Sequence, residues 1–98
     1  MKLTLKDGRL IDVKVFHVRR ERAGQMCRGT EVVVLDGQYR YSEAALCSPK
    51  DNFSKRVGRK LAVTRLLDGL RRSTWTNNDF TKEDRRDIFK VVCPEFNS

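Results

Sequence analysis

Two Asp-Gly dipeptides constrain this chain more than any other feature, because each lies between two stretches that are typical of β-strands. The four stretches are KLTLK (2–6), RLIDVKVFHV (9–18), TEVVVLD (30–36) and QYRYSEAAL (38–46). Asp7-Gly8 and Asp36-Gly37 indicate tight hairpin turns, because glycine adopts a positive φ without a steric penalty. We therefore predict a four-stranded, mainly antiparallel sheet built from two hairpins.

The segment between the two hairpins, residues 19–29, reads RRERAGQMCRG. It is polar and arginine-rich, and it lacks the alternation of apolar and polar residues that marks a half-buried strand. We predict a flexible loop there.

The second half of the chain carries helix-start signals. Ser48-Pro49-Lys50-Asp51 has the form of a capped first turn, and Ser54 offers a second start for a helix that continues to about Arg72. After a loop over residues 73–78, Thr81-Lys82-Glu83-Asp84 forms a capping box for a second helix that ends before Pro94.

These elements predict one α+β domain over residues 1–98. The sheet occupies residues 1–47, and the two helices of residues 48–98 pack on one of its faces. The charged fraction of 35% and the hydrophobic fraction of 39% fit a globular domain of this size.

The long helix shows two apolar sides on a helical wheel. Phe53, Val57 and Leu61 share one side. The opposite side carries Ala62, Val63, Leu66, Leu67 and Leu70. Three explanations remain open: a bend near Gly58, coverage of both sides by the sheet and the second helix, or contact of one side with a second copy or another partner.

The net charge of +8 is concentrated in the middle of the chain. Residues 1–47 have nine cations and six anions, residues 48–78 have eight and two, and residues 79–98 have four and five. The positive electrostatic field of these residues attracts anions, and nucleic acid is the commonest large anion. An acidic protein surface or an anionic nucleotide would respond to the same field.

Two groups of basic residues supply the predicted contact surface, one on the loop and one on the long helix. Lys55 with Arg59 and Arg56 with Lys60 are like-charge pairs at i, i+4, which cost an isolated helix a few tenths of a kcal/mol each. A bound anion would offset that repulsion. The predicted site comprises Arg19, Arg20, Arg22, Arg28, Lys55, Arg56, Arg59, Lys60, Arg65, Arg71, Arg72 and Trp75.

Neither a cofactor nor a catalytic residue is predicted. The chain has no Gly-rich phosphate loop, H-E-x-x-H motif or nucleophile elbow. Three cysteines and the single histidine, His17, would make a chemically acceptable zinc shell, but there is no short ligand spacing. We interpret Cys27, Cys47 and Cys93 as free thiols, since an odd number without a secretion signal argues against a disulfide framework.

The stretch from Cys47 to Leu66 resembles a segment of small bacteriophage and prophage proteins with the pattern C-x-P-x-D-x-F-x4-G-x3-A-x2-R. Cys47, Pro49, Asp51, Phe53, Gly58, Ala62 and Arg65 occupy the pattern positions. The resemblance covers about a fifth of the chain and implies a phage accessory protein. Phage proteins of this size often bind and block a host complex, including nucleic-acid-guided defence complexes.

The resulting functional hypothesis is a non-enzymatic, anti-CRISPR-like inhibitor of a host defence or nucleic-acid-handling complex, acting through its basic surface in the host cytoplasm. The expected partner is a host protein or nucleoprotein complex, with no membrane contact and with a homodimer as a further option. The alternatives are a direct DNA- or RNA-binding protein and a protein that sequesters a small anionic nucleotide.

Overall fold

A computed structural model of the 98-residue chain describes residues 1–50, 52, 54–72 and 80–96. Its elements are β1 (Lys2–Thr4), β2 (Leu10–Arg22), β3 (Gln25–Asp36), β4 (Tyr39–Cys47), α1 (Lys55–Arg72), α2 (Lys82–Val92) and a 3-10 turn (Pro94–Phe96). The strands form one antiparallel sheet in the order β1-β2-β3-β4, and the helices pack against it. The predicted α+β architecture is confirmed.

The two Asp-Gly dipeptides between the predicted strands, Asp7-Gly8 and Asp36-Gly37, both form turns, but of different lengths. Leu5 and Arg9 close the first turn around three residues, with Gly8 at φ +93°. The predicted two-residue turn is therefore wrong by one residue at this position. The second turn has two central residues between Asp36 and Tyr39, and Gly37 takes φ +60° at the first of them, as a type II′ turn requires.

The predicted loop over residues 19–29 is wrong. β2 continues to Arg22, β3 begins at Gln25, and these two residues pair directly across the turn. Ala23 and Gly24 both have positive φ, +53° and +77°, which makes a two-residue type I′ turn.

This hairpin extends past the neighbouring strand. β4 pairs with β3 only as far as Arg28 and Cys47, whereas β2 pairs with β3 down to the turn. Three residues of each strand, about 10 Å of ribbon, therefore project beyond β4. We call residues 19–28 the basic arm. Because nothing packs on most of its surface, its sequence shows no apolar alternation.

The core lies between one face of the sheet and the helices. Its members are fully or almost fully buried, and each apolar side chain contributes roughly 1.5–3 kcal/mol by leaving water. The sheet supplies Ile11, Val13, Val32, Val34 and Ala45, and the helices supply Ala62, Val63, Leu66, Leu70, Ile88 and Val92.

α1 starts at the second of its two predicted positions. The Ser54 hydroxyl accepts a hydrogen bond from the backbone N–H of Val57 at 3.3 Å, and the Ser54 carbonyl accepts one from Gly58 at 2.9 Å. The predicted helix start at Ser48 is wrong, because the Ser48 hydroxyl accepts from the backbone N–H of Lys50 and forms a local turn instead. Asp51 lies outside the described residues.

α2 has the capping box that its sequence predicts. The Thr81 hydroxyl accepts from the backbone N–H of Asp84 at 3.1 Å, and the Asp84 carboxylate accepts from that of Thr81 at 3.0 Å. The helix ends at Val92, before Pro94, as predicted. The predicted loop over residues 73–78 falls outside the described residues.

The leucine side of α1 faces the core. Val57 and Leu61, on the other apolar side, are 53% and 47% exposed. Coverage of both apolar sides within the fold is therefore wrong for these two residues, and a contact with a partner remains a prediction.

Candidate nucleic-acid interface

The two helices run antiparallel, which gives the molecule two distinct ends. Arg59 in the first half of α1 bonds Glu95, just after α2. Residues from the last turns of α1 and the start of α2 line a common groove. The arm end therefore contains the basic arm, the end of β4, the start of α1 and the end of α2. The far end contains the other two strand turns, the end of α1 and the start of α2.

Cross-strand register sets the positions of the arm arginines. Arg19 lies directly opposite Arg28, and such like-charge pairs destabilise a sheet. On the other face, Arg20 bonds the Glu31 carboxylate at 3.1 Å. Arg22 is opposite Gln25 beside the turn. The arm holds four arginines and one carboxylate, Glu21.

Three basic residues of the arm end form no ion pair with any described carboxylate. In the part of the chain that the structure describes, no carboxylate oxygen lies within 4.0 Å of the cationic groups of Arg19, Arg22 or Lys55, and all three residues are exposed. Lys55 is the first residue of α1 and shares the arm end with the two arginines. Arg56 and Lys60 are also exposed on this half of the helix.

Arg59 forms an ion pair within the fold. Its guanidinium is partly buried against the Glu95 carboxylate, and this pair ties α1 to the segment after α2. The pKa of Glu95 lies below its ordinary value because the carboxylate accepts from its own backbone N–H and from Arg59. Arg59 is thus less available to a ligand than its sequence neighbours.

The remaining predicted residues lie further along α1. Arg65 donates to the Ala44 carbonyl at 3.3 Å, and Arg71 bonds Asp68 at 3.1 Å. Arg71 is sixteen residues from Lys55, or about 24 Å along the helix axis. The structure therefore separates Arg71 from the arm end. The Arg72 side chain and Trp75 lie outside the described residues.

The far end carries a second basic surface that the sequence reasoning missed. A groove of about 550 Å³ has Leu67 and Phe89 on its floor, and its basic lining residues are Arg71, Lys82, Arg85 and Arg86. The sequence does not indicate this surface, because acidic residues near Lys82, Arg85 and Arg86 bring the net charge of residues 79–98 to −1.

Asp68 lines this second surface itself, whereas two other nearby acids are occupied elsewhere. Asp84 is 3% exposed and caps α2, and Glu83 bonds Lys6 at 2.6 Å. That hydrogen bond lowers the pKa of Glu83 and raises the pKa of Lys6. Two basic residues of the groove also have internal partners, since Arg71 bonds Asp68 and Arg85 donates to the Phe80 carbonyl at 2.9 Å.

The thiols and the histidine do not form a metal centre among the residues described. All three cysteines are free, and no group of three His, Cys, Asp or Glu residues in this part of the chain is placed to hold a metal ion. Cys93 is fully buried, and burial raises the pKa of its thiol. The His17 Nδ1 lies 3.5 Å from the Thr30 hydroxyl.

Comparisons with protein-family models, with curated proteins and with solved structures each found no match. Neither described helix combines the length and the apolar character needed to cross a membrane.

Proposed function

We propose that this protein is a non-enzymatic module that binds the phosphate backbone of nucleic acid through its arm end. The observation that carries the proposal is the trio of Arg19, Arg22 and Lys55, which are exposed and have no carboxylate within 4.0 Å among the described residues. Phosphate contacts with arginine and lysine supply most of the affinity of non-specific nucleic-acid binding.

The shape of the arm favours duplex DNA. A two-stranded ribbon fits the major groove of B-form DNA, which is about 12 Å wide and 8.5 Å deep. The arm projects by about 10 Å beyond β4, which matches that depth. Double-stranded RNA is a poorer target, because the major groove of its A-form helix is too narrow for side chains to read.

The opposed pair of Arg19 and Arg28 supports the same function. In the hairpin register Arg19 lies opposite Arg28, and directly opposed like charges are unfavourable in a sheet. A phosphate between or beside them would remove the repulsion and gain charge-assisted hydrogen bonds.

A second candidate is the inhibition of a host defence or nucleic-acid-handling complex, which the resemblance to phage proteins implies. Exposed Val57 and Leu61 favour a protein contact at the same end of the molecule. In this mechanism, the basic arm would occupy a path that normally holds nucleic acid.

Salt-dependent binding tests the first proposal. We expect a fluorescein-labelled 20-base-pair duplex to bind with a log–log salt slope of about −3 to −4, because three or four phosphates release their counterions. Affinity should fall roughly 100-fold between 50 and 200 mM salt. Fluorescence anisotropy measures both quantities, and duplex RNA of the same sequence should bind more weakly. Absence of DNA binding at 50 mM salt, or binding that salt does not weaken, would contradict the proposal.

A further inference from the structure

Two adjoining grooves form one trough along the free edge of the sheet. The first has a volume of about 330 Å³ and lies between residues 45–48 of the chain and Val57, Gly58 and Leu61 of α1. The second has a volume of about 410 Å³ and continues from residues 46–49 to Arg22 in the basic arm. Residues 46–48 line both grooves, and we call the combined feature the edge trough.

The wall of the edge trough is apolar and incompletely buried. Val57 and Leu61 are spaced i, i+4, so they lie side by side on α1. The facing strand segment, residues 44–47, reads Ala-Ala-Leu-Cys and carries no charge. Edge strands are ordinarily protected from pairing by charged residues or proline. This segment contains neither, and Arg65 of α1 covers only its Ala44 carbonyl among the hydrogen bonds described.

An arginine lines the edge trough at one end, and another lies close to its other end without lining it. Arg22 lies at the arm end, and Arg65 lies across the strand edge, where it donates to the Ala44 carbonyl. A guanidinium has five N–H donors, so one hydrogen bond to a carbonyl leaves capacity for a carboxylate. No aspartate or glutamate is among the described residues that line either groove.

The β3 register gives the distance between these two arginines. Arg22 pairs with Gln25, and Ala44 pairs with Glu31. Gln25 and Glu31 are six residues apart in β3, so Arg22 and the Ala44 carbonyl that Arg65 contacts lie about 20 Å apart along the strand direction. An extended peptide of about six residues has the same length.

We propose that the edge trough binds an extended segment of a partner protein that has acidic residues at both ends and apolar residues between them. The apolar side chains pack on Val57 and Leu61, and the carboxylates meet Arg22 and Arg65. This is strand addition at a sheet edge, in which backbone hydrogen bonds supply affinity and alternate side chains supply specificity. Nucleic acid offers no apolar side chain for Val57 or Leu61, so the edge trough is a second site, which shares Arg22 with the phosphate-binding arm.

A second copy of the chain is a poorer occupant. Each copy has a net charge of +8, and pairing two edge troughs would bring the arginines of both into proximity. Like charges in such an interface cost several kcal/mol. An acidic partner has the complementary charge.

The test uses fluorescein-labelled eight-residue peptides with glutamate at both ends and alternating valine and threonine between them. We expect binding to the full chain in the micromolar range, and at least tenfold weaker binding of matched peptides with terminal lysines. Leu61→Asp should weaken binding of the acidic peptide at least tenfold. Leu10→Asp is the matched control, since Leu10 is also exposed, at 59%, but lies away from the edge trough. It should leave peptide affinity unchanged.

Three results would overturn this proposal, provided that circular dichroism shows both variants folded. The first is that no peptide binds at concentrations up to 1 mM. The second is that acidic and lysine-ended peptides bind with equal affinity. The third is that Leu61→Asp and Leu10→Asp reduce the affinity for the acidic peptide equally. A wild-type dimer that Leu61→Asp dissociates would assign the edge trough to a second copy instead. DNA binding is measured in parallel and should fall no more with Leu61→Asp than with Leu10→Asp, because both changes lower the net charge by one. Failure of either proposal is therefore recognised separately.

Discussion

Reversing two charges in the basic arm should reduce affinity for duplex DNA on the order of 100-fold at 100 mM salt. The variant combines Arg19→Glu and Arg22→Glu, which removes two phosphate contacts and places two carboxylates where DNA would lie. The log–log salt slope should become shallower by about two, since each phosphate contact contributes about 0.9. Fluorescence anisotropy of the labelled duplex gives both values.

A matched control reverses two exposed charges at the far end, Lys82→Glu and Arg86→Glu. Both double variants change the net charge from +8 to +4, so a general loss of electrostatic attraction affects them alike. We expect the control to lose less than tenfold in affinity. A larger loss in the control than in the arm variant would place the interface in the basic groove between α1 and α2.

Gly29→Ala should destabilise the fold by about 2–3 kcal/mol, the range for overpacking in a well-packed region. Gly29 lies in β3 where the basic arm leaves the sheet, opposite Leu46. A methyl group added there would meet the Ala45 carbonyl oxygen and would lie 2.6 Å from the Leu46 Cδ2 atom. The carbonyl belongs to the backbone of β4, so relief requires movement of the strand itself. Urea denaturation measures the change in the free energy of unfolding.

Gly69→Ala is the matched control, because it adds the same methyl group to a different glycine. Gly69 is exposed in the interior of α1. Apart from its chain neighbours and the helix backbone, no atom of the described residues lies within 4 Å of the added carbon. Alanine is the better helix former, so this change should stabilise the protein by about 0.5–1 kcal/mol. Equal effects of the two substitutions would show that the close approach of β3 and β4 does not limit stability.

The sequence predicts two of the three turns between strands and does not predict the third. Asp7-Gly8 and Asp36-Gly37 indicate turns because glycine is the residue that most readily takes positive φ. The sequence does not indicate the turn at Ala23-Gly24, because alanine rarely adopts positive φ and because the flanking strand residues, apart from the buried Cys27, are exposed. Without a buried face, a strand has no apolar alternation to detect.

The two apolar sides of α1 show a different limit. The helical wheel separates the leucine side from Val57 and Leu61, but periodicity does not say which side meets the sheet. The choice follows from packing, since Ala62, Val63 and Leu66 fill the space above β3 and β4.

Proximity along the chain does not predict which basic residues lie on the same surface of the folded protein. Arg71 was grouped with Lys55 because both belong to one helix, yet a helix of this length separates its ends by about 25 Å. Conversely, Arg86 was passed over because carboxylates surround it in the sequence. Those carboxylates include Asp84, which the fold buries as a helix cap.

The central claim is that DNA binds through the basic arm, and mapping the position of the DNA on the protein tests it most directly. A titration of ¹⁵N-labelled protein with a 12-base-pair duplex, followed by two-dimensional NMR, reports which backbone amides sense the ligand. We predict the largest shift changes at residues 19–28 and at residues 54–56, with little change at residues 82–89. Largest changes at residues 67–71 and 82–89, or shifts spread evenly over the surface, would contradict binding through the basic arm.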